Sequence, residues 1–168
     1  MTRKDRFWQD LKSGKFVSMV KESSKGQTLS NSSEVYNIMK PLFSRKPDVE
    51  SLYCIFLDSK NRIIAIEKMF SGSINSSPVY PREIVKKVLA LSATALVVVV
   101  HNHPSGSCEP SSDDRSITIK IGIALASIDA KLHDHMIIGN GYHSMADDGW
   151  LAKVSEKFKY HLLQPWEV

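Results

Sequence analysis

The sequence predicts an α/β sandwich, a mixed β-sheet with helices packed on its faces. Three observations carry that reading. Leu96–Val100 is a run of apolar, mostly β-branched residues, the composition of a strand buried on both faces. Residues 50–70 read as two strands joined by the polar turn Asp58-Ser59-Lys60-Asn61, a hairpin. Around these lie segments with apolar residues at helical spacing, so strands and helices intermix along the chain.

A chain of 168 residues fits one domain able to bury a core. Its 42% hydrophobic and 24% charged residues are those of an ordinary soluble globular protein, which argues against long disorder. No apolar run approaches the roughly 20 residues of a membrane span, and MTRKDRFWQDLK has no signal core, so a cytoplasmic protein without a membrane partner is expected. Cys54 and Cys108 make no disulfide framework. The formal charge of +4 permits nucleic-acid contact without demanding it. Residues 1–25 hold seven Lys and Arg (Arg3, Lys4, Arg6, Lys12, Lys15, Lys21 and Lys25) against three acids, so the whole excess lies there. The expected division is a basic N-terminal arm over 1–30, equally readable as a solvated segment, and one domain over 31–168.

In chain order, Phe7, Trp8, Leu11, Phe16, Val17 and Val20 should dock part of the arm on the body, and Lys21–Ser33 reads as a polar connector. A helix is expected after Ser33, with Val35, Ile38, Met39, Leu42 and Phe43 on one face. Pro41 should kink or shorten it and Arg45-Lys46-Pro47 should end it. The hairpin over residues 50–70 follows, then Gly72 and the Ser/Asn-rich loop Ser71–Pro78. Pro81 suits the first turn of a helix to about Ser92, carrying Ile84, Val85, Val88, Leu89 and Leu91. After the buried strand and its loop, a second helix has Ile117, Ile121, Ala124, Leu125 and Ile128 on one face. Then come a strand over Leu132–Gly139, a Gly-Asn-Gly turn and a short strand near Tyr142–Met145. A closing helix from about Trp150 carries Leu151, Val154, Phe158 and Leu162 and stops at Pro165.

The chemistry gathers over Leu96–Asp114, LVVVVHNHPSGSCEPSSDD. His101 and His103, two residues apart in extended chain, point to one face about 6.6 Å apart along the strand, a spacing suited to one ion. Pro104, Gly106 and Pro110 fix the following loop. Asp114, one turn into the next helix, can bring its carboxylate back to the strand end. Ser111 and Asp114 equally have the form of a helix capping box, and the two roles need not exclude each other. Two His and one Asp would most naturally hold zinc with one position open for water. Hydrolysis then needs a carboxylate base outside the ligand set, and spacing does not choose among Glu50, Glu67 and Glu83. Cys108 is a poor ligand candidate without a second cysteine nearby. Nucleobase deamination, which needs His-x-Glu and Pro-Cys-x-x-Cys, is set aside. A single His/His/Asp site also lacks the extra carboxylates of two-metal nucleases.

These residues resemble the JAMM signature of the JAB/MPN+ metalloproteins: His-x-His, seven residues, Ser-x-x-Asp. Phe70-Ser-Gly-Ser-Ile-Asn, Val79-Tyr-Pro-Arg-Glu, the HNHPSG core and Leu132-His-Asp-His-Met-Ile-Ile-Gly are similar to the RadC family over Ser30–Leu151. The resemblance implies a JAB/MPN-like, cytidine-deaminase-like sandwich with Zn2+ held by His101, His103 and Asp114. It also implies Ser111 hydrogen-bonding to water or the developing oxyanion, and a catalytic glutamate at Glu50, with Glu67 in reserve. Related chains often have His where Tyr80 stands, which removes a ligand or relay role there. Longer relatives carry an N-terminal helix-hairpin-helix region for which 30 residues are too few. His133 and His135 share a face under strict alternation, where they could support the site or be packed or surface residues. The function expected is a zinc-dependent hydrolase of peptide or isopeptide amides. The alternative is a DNA-associated or protein-interaction module that contacts DNA through the basic arm, with a structural zinc.

Overall fold

Strand order follows from burial. The most apolar segment becomes the central strand, with its parallel and antiparallel neighbours either side of it. The computed structural model describes residues 2, 5–6, 9–10, 13–44, 48–72, 79–92 and 94–163. Arg3, Lys4, Lys12, the docking residues Phe7, Trp8 and Leu11, the Arg45-Lys46-Pro47 stop, 73–78 of the loop, the side chains of Phe158 and Leu162, and Pro165 lie outside the described residues. The elements are α1 (Lys15–Ser24), α2 (Ser32–Phe43), β1 (Ser51–Leu57), β2 (Ile63–Ser71), α3 (Pro81–Ala90), β3 (Leu96–Asn102), α4 (Ser112–Ala126), β4 (Lys131–Ile138), β5 (Tyr142–Ser144) and α5 (Trp150–Leu163).

The sheet runs β2-β1-β3-β4-β5. β1 is antiparallel to β2 and to β3, and β4 to β5, while β3 and β4 are parallel and joined through α4. This is the mixed α/β sandwich the sequence predicts. Side chains alternate across it. Leu52, Cys54, Phe56, Val97, Val99 and Ile137 meet Ile84 of α3, Ile121 and Leu125 of α4, and Leu151 of α5. Tyr53, Ile55, Leu57, Val98, Val100, Met136 and Ile138 meet Val35, Met39 and Leu42 of α2, with Val17 and Val20 of α1 against them. Each Val, Leu, Ile, Phe or Met side chain fully buried there contributes about 1.5–3 kcal/mol. No described helix is long and apolar enough to cross a membrane.

Three local expectations change. The segment from Lys21 is not all connector, because α1 continues to Ser24, whose hydroxyl donates to the Val20 carbonyl at 2.7 Å. α2 begins at Ser32, before the expected start, because Asn31 accepts the Glu34 N–H at 3.0 Å and caps it. Pro41 sits inside α2, two residues before its end, where its missing N–H costs little of the helix. In the arm, Lys15 and Lys25 pair with Asp10 and Glu22, and the Lys21 ammonium lies 5.6 Å from the centre of the Tyr53 ring.

Cys54 is wholly buried in β1, and burial pushes its thiol pKa up, whereas Cys108 is partly exposed. A water-soluble thiol reagent should therefore titrate one thiol per native chain and two in denaturant. Two native equivalents would show that β1 opens readily.

Candidate metal centre

The centre lies at the C-terminal end of β3, the strand with most support. Val97, Val99 and His101 alternate onto the face covered by α4, so His101 is fully buried within the strand rather than just after it. His103 follows as the first residue past the strand, and its N–H donates to the Ile138 carbonyl at 2.9 Å. The two rings turn to the same side, and their Nε2 atoms stand 2.9 Å apart.

The loop beyond His103 is held against the end of β4. Gly106 donates to the His103 carbonyl at 3.0 Å, and Asn140 donates to the Gly106 carbonyl at 2.8 Å. Gly139 is required by close approach, since a Cβ there would stand 2.4 Å from the Gly106 carbonyl oxygen. Backbone cannot yield to that contact as a side chain can. Gly139→Ala is expected to destabilise the fold by about 1–3 kcal/mol and to weaken metal binding by displacing His103. Urea denaturation and metal titration of the variant check this.

α4 begins with the capping box. The Ser111 side chain accepts the Asp114 N–H at 3.1 Å, and Asp114 Oδ2 accepts the Ser111 N–H at 2.8 Å and its hydroxyl at 2.6 Å. The cap fixes Asp114 rather than competing with a site role, and aims its carboxylate at both imidazoles. Oδ1 lies 3.1 Å from His101 Nε2, and Oδ2 lies 3.3 Å from His103 Nε2. The fully buried face of α4 is Asp114, Thr118, Ile121, Gly122 and Leu125, with Ile117 and Ile128 of the expected face partly buried against the same core.

Glu50 comes from the far side of β3. Asn102, between the two histidines, extends the β1–β3 ladder past its last pair, Leu52 and His101. Its Oδ1 accepts the Ser51 N–H at 2.8 Å and its Nδ2 donates to the Val49 carbonyl at 3.2 Å. Both flanks of Glu50 are thereby tied to the histidine strand. Glu50, His101, His103 and Asp114 each offer a ligand-type atom, and these atoms all lie within 4.8 Å of one another. The structure thus brings together three of the expected ligand side chains and the chosen glutamate. Glu67 and Glu83 are not in the cluster, lying 3.9 Å from Lys87 and 3.4 Å from Arg82. Cys108 is also outside it, and Tyr80 is exposed with the Arg82 guanidinium over its ring.

Burial opposes ionisation of Asp114, but its polar partners, among them the His103 imidazole and the Ser111 hydroxyl, outweigh it and hold the carboxyl far below the usual range. The Asp114 carboxylate raises the His103 pKa against the pull of burial, with Glu50 adding to it. Two carboxylates beside imidazoles form a pocket suited to a dication.

A metal fits these residues on three counts. The contacts of His101 Nε2 with His103 Nε2 and with Asp114 Oδ1, 2.9 and 3.1 Å, approach the roughly 3.3 Å edge of a tetrahedron with bonds of about 2.0–2.1 Å. Asp114 Oδ1 is buried and has no hydrogen bond, a costly state for a carboxylate oxygen unless a cation meets it. The donors are imidazole nitrogen and carboxylate oxygen, a set suited to zinc.

Behind His101 lies a group that strict alternation misplaces. A register shift between Val97 and Val98 against β4 changes the strand phase near His133. His133 is exposed, while His135 is fully buried with its Nε2 2.8 Å from His101 Nδ1. Its Nδ1 lies 2.5 Å from the Thr118 hydroxyl oxygen, which also donates to the Asp114 carbonyl. Burial, with His101 adding, holds the His135 pKa well below that of an ordinary imidazole. Thr118 was legible as the i+4 neighbour of Asp114 on a buried face. The bulge that turns His135 inward was not.

The model of the RadC-like JAB domain matches residues 29–150. A protein named UPF0758 from Ectopseudomonas mendocina is 50% identical over 99 residues, covering 58% of this chain and 44% of that protein. Namesakes from Pseudomonas fluorescens and Vibrio atlanticus are 44% identical over 124 residues and 42% over 129, covering 73% and 76% of this chain. Those matches take in 54% and 57% of the two relatives, so the chain spans about half the length of the curated relatives it matches.

Proposed function

The chain belongs to the RadC-like JAB domain family, and from that premise we propose that it is a zinc-dependent hydrolase of peptide or isopeptide amide bonds. The observation that supports it most is the buried Asp114 Oδ1, without a hydrogen bond and 3.1 Å from His101 Nε2, on a carboxylate that clusters with His103 and Glu50. His101, His103 and Asp114 would hold the ion. Zinc there would supply Lewis acidity and make the attacking water more acidic.

The remaining steps fall to the chain's own groups. Glu50, outside the ligand set, takes a proton from the attacking water and returns it to the leaving amine. Asn102 keeps that carboxylate at the ligand strand. Ser111 is assigned to the oxygen that gains charge. Its hydroxyl is donated to Asp114 Oδ2 at 2.6 Å, so that role requires it to rotate, and until then it orients the ligand.

The test begins with protein purified without chelators, expected to carry about one metal ion per chain, zinc by elemental analysis. Peptide and isopeptide panels should then be cleaved with zinc and spared with chelator. A chain that takes up no zinc would overturn the reading. Zinc retained with no turnover, together with salt-sensitive DNA binding lost on deleting residues 1–25, would favour a DNA-associated module instead.

A further inference from the structure

We propose that Thr118 and His135 are positioning residues that lock His101 in the tautomer with its proton on Nδ1, leaving Nε2 bare toward the metal position. The usefulness of that arrangement rests on the metal reading above.

The backbone carbonyl of Asp114 only accepts, and the Thr118 hydroxyl is in direct contact with it, so the single hydroxyl proton points there. Thr118 Oγ1 then meets His135 Nδ1 at 2.5 Å as an acceptor, which places a proton on Nδ1 of His135. The His135 ring has no exposed surface, and its two nitrogens face a hydroxyl and another imidazole. A neutral ring suits such surroundings, and with its one proton on Nδ1 its Nε2 is an acceptor. That nitrogen lies 2.8 Å from His101 Nδ1, which must therefore donate. His101 Nε2 is left with its lone pair, 2.9 Å from His103 Nε2 and 3.1 Å from Asp114 Oδ1.

The absence of a hydrogen bond at Asp114 Oδ1 now has a cause. Its nearest imidazole nitrogen carries no proton to give. The bonds leave one ligand residue through its backbone carbonyl, pass through Thr118 and His135, and enter a second ligand residue through its ring. Free imidazole in water favours the opposite tautomer. Without this chain, metal binding would have to displace a proton from His101 or rotate a buried ring.

Long-range proton–nitrogen correlation spectra of the metal-free, nitrogen-15-labelled protein read the tautomers directly. Both His101 and His135 should show the Nδ1-protonated pattern. Thr118→Val, which keeps the shape and removes the hydroxyl, should release His101 toward the Nε2-protonated form and lower zinc affinity about 10–100-fold. Thr118→Ser should restore both. An Nε2-protonated His101 in the metal-free wild type would overturn the proposal, and that spectrum needs no variant to fold. Wild-type affinity in a folded Thr118→Val would also overturn it. A wild type with the expected spectra and no zinc uptake would keep the tautomer assignment and sink the metal reading.

Discussion

Zinc at a hundredfold its dissociation constant is expected to stabilise the wild-type chain by about 2.7 kcal/mol and to leave Asp114→Ala where it stands without metal. Calorimetric melting with zinc and with chelator measures the difference. The increment must be compared, rather than the melting temperature, because alanine at 114 also removes half of the capping box, at a cost of about 1 kcal/mol. Acid should work against the increment. In the metal-free protein the Asp114 carboxylate raises the His103 pKa. Protonated His103 therefore contributes stability that is complete below its unfolded pKa and is lost as pH rises through the raised folded value. Zinc needs that same nitrogen unprotonated, so its contribution grows over the pH range where the proton's fades. An equal increment in wild type and Asp114→Ala would remove Asp114 from the ligand set.

Glu50→Gln should separate binding from chemistry. Glutamine keeps the size and polarity of the side chain and cannot take a proton at neutral pH. The variant should keep the zinc increment and lose about 10²–10⁴-fold in kcat/KM on any substrate the panels yield. The comparison must be made at equal zinc content. If turnover survives, the base lies elsewhere, and Glu67→Gln is the next variant even though Glu67 lies toward Lys87.

What the sequence made legible was local. Leu96–Val100, the hairpin and the amphipathic helices follow from periodicity. The pairing of His101 with His103 follows from spacing, whereas Asp114 reads equally as half of a capping box until the family resemblance implies a ligand role. What stayed hidden depends on contacts between distant residues. Asn102 looks like a spacer until its side chain meets Val49 and Ser51, residues more than 50 positions earlier. His135 looks like the twin of His133 until the irregular β3–β4 register separates them. Thr118 differs from these two, since its place one helical turn beyond Asp114 can be read from local spacing. Glu50 needed the family resemblance, since nothing in its own neighbourhood marks it among three glutamates.

A single nitrogen of Asn102 separates the intact tether from a broken one. The residue's two amide atoms face partners of fixed sign, a backbone N–H and a backbone carbonyl. Deamidation would exchange Nδ2 for oxygen and set two acceptors against each other at the Val49 contact, a buried mismatch worth about 1–3 kcal/mol. The segment bearing Glu50 would be pushed off while His101, His103 and Asp114 kept their places. Asn102→Asp imitates that lesion and should retain the zinc increment while losing turnover. The chain would then still count as metal-loaded in every assay of content, so its working lifetime would be overestimated by any measurement of bound zinc.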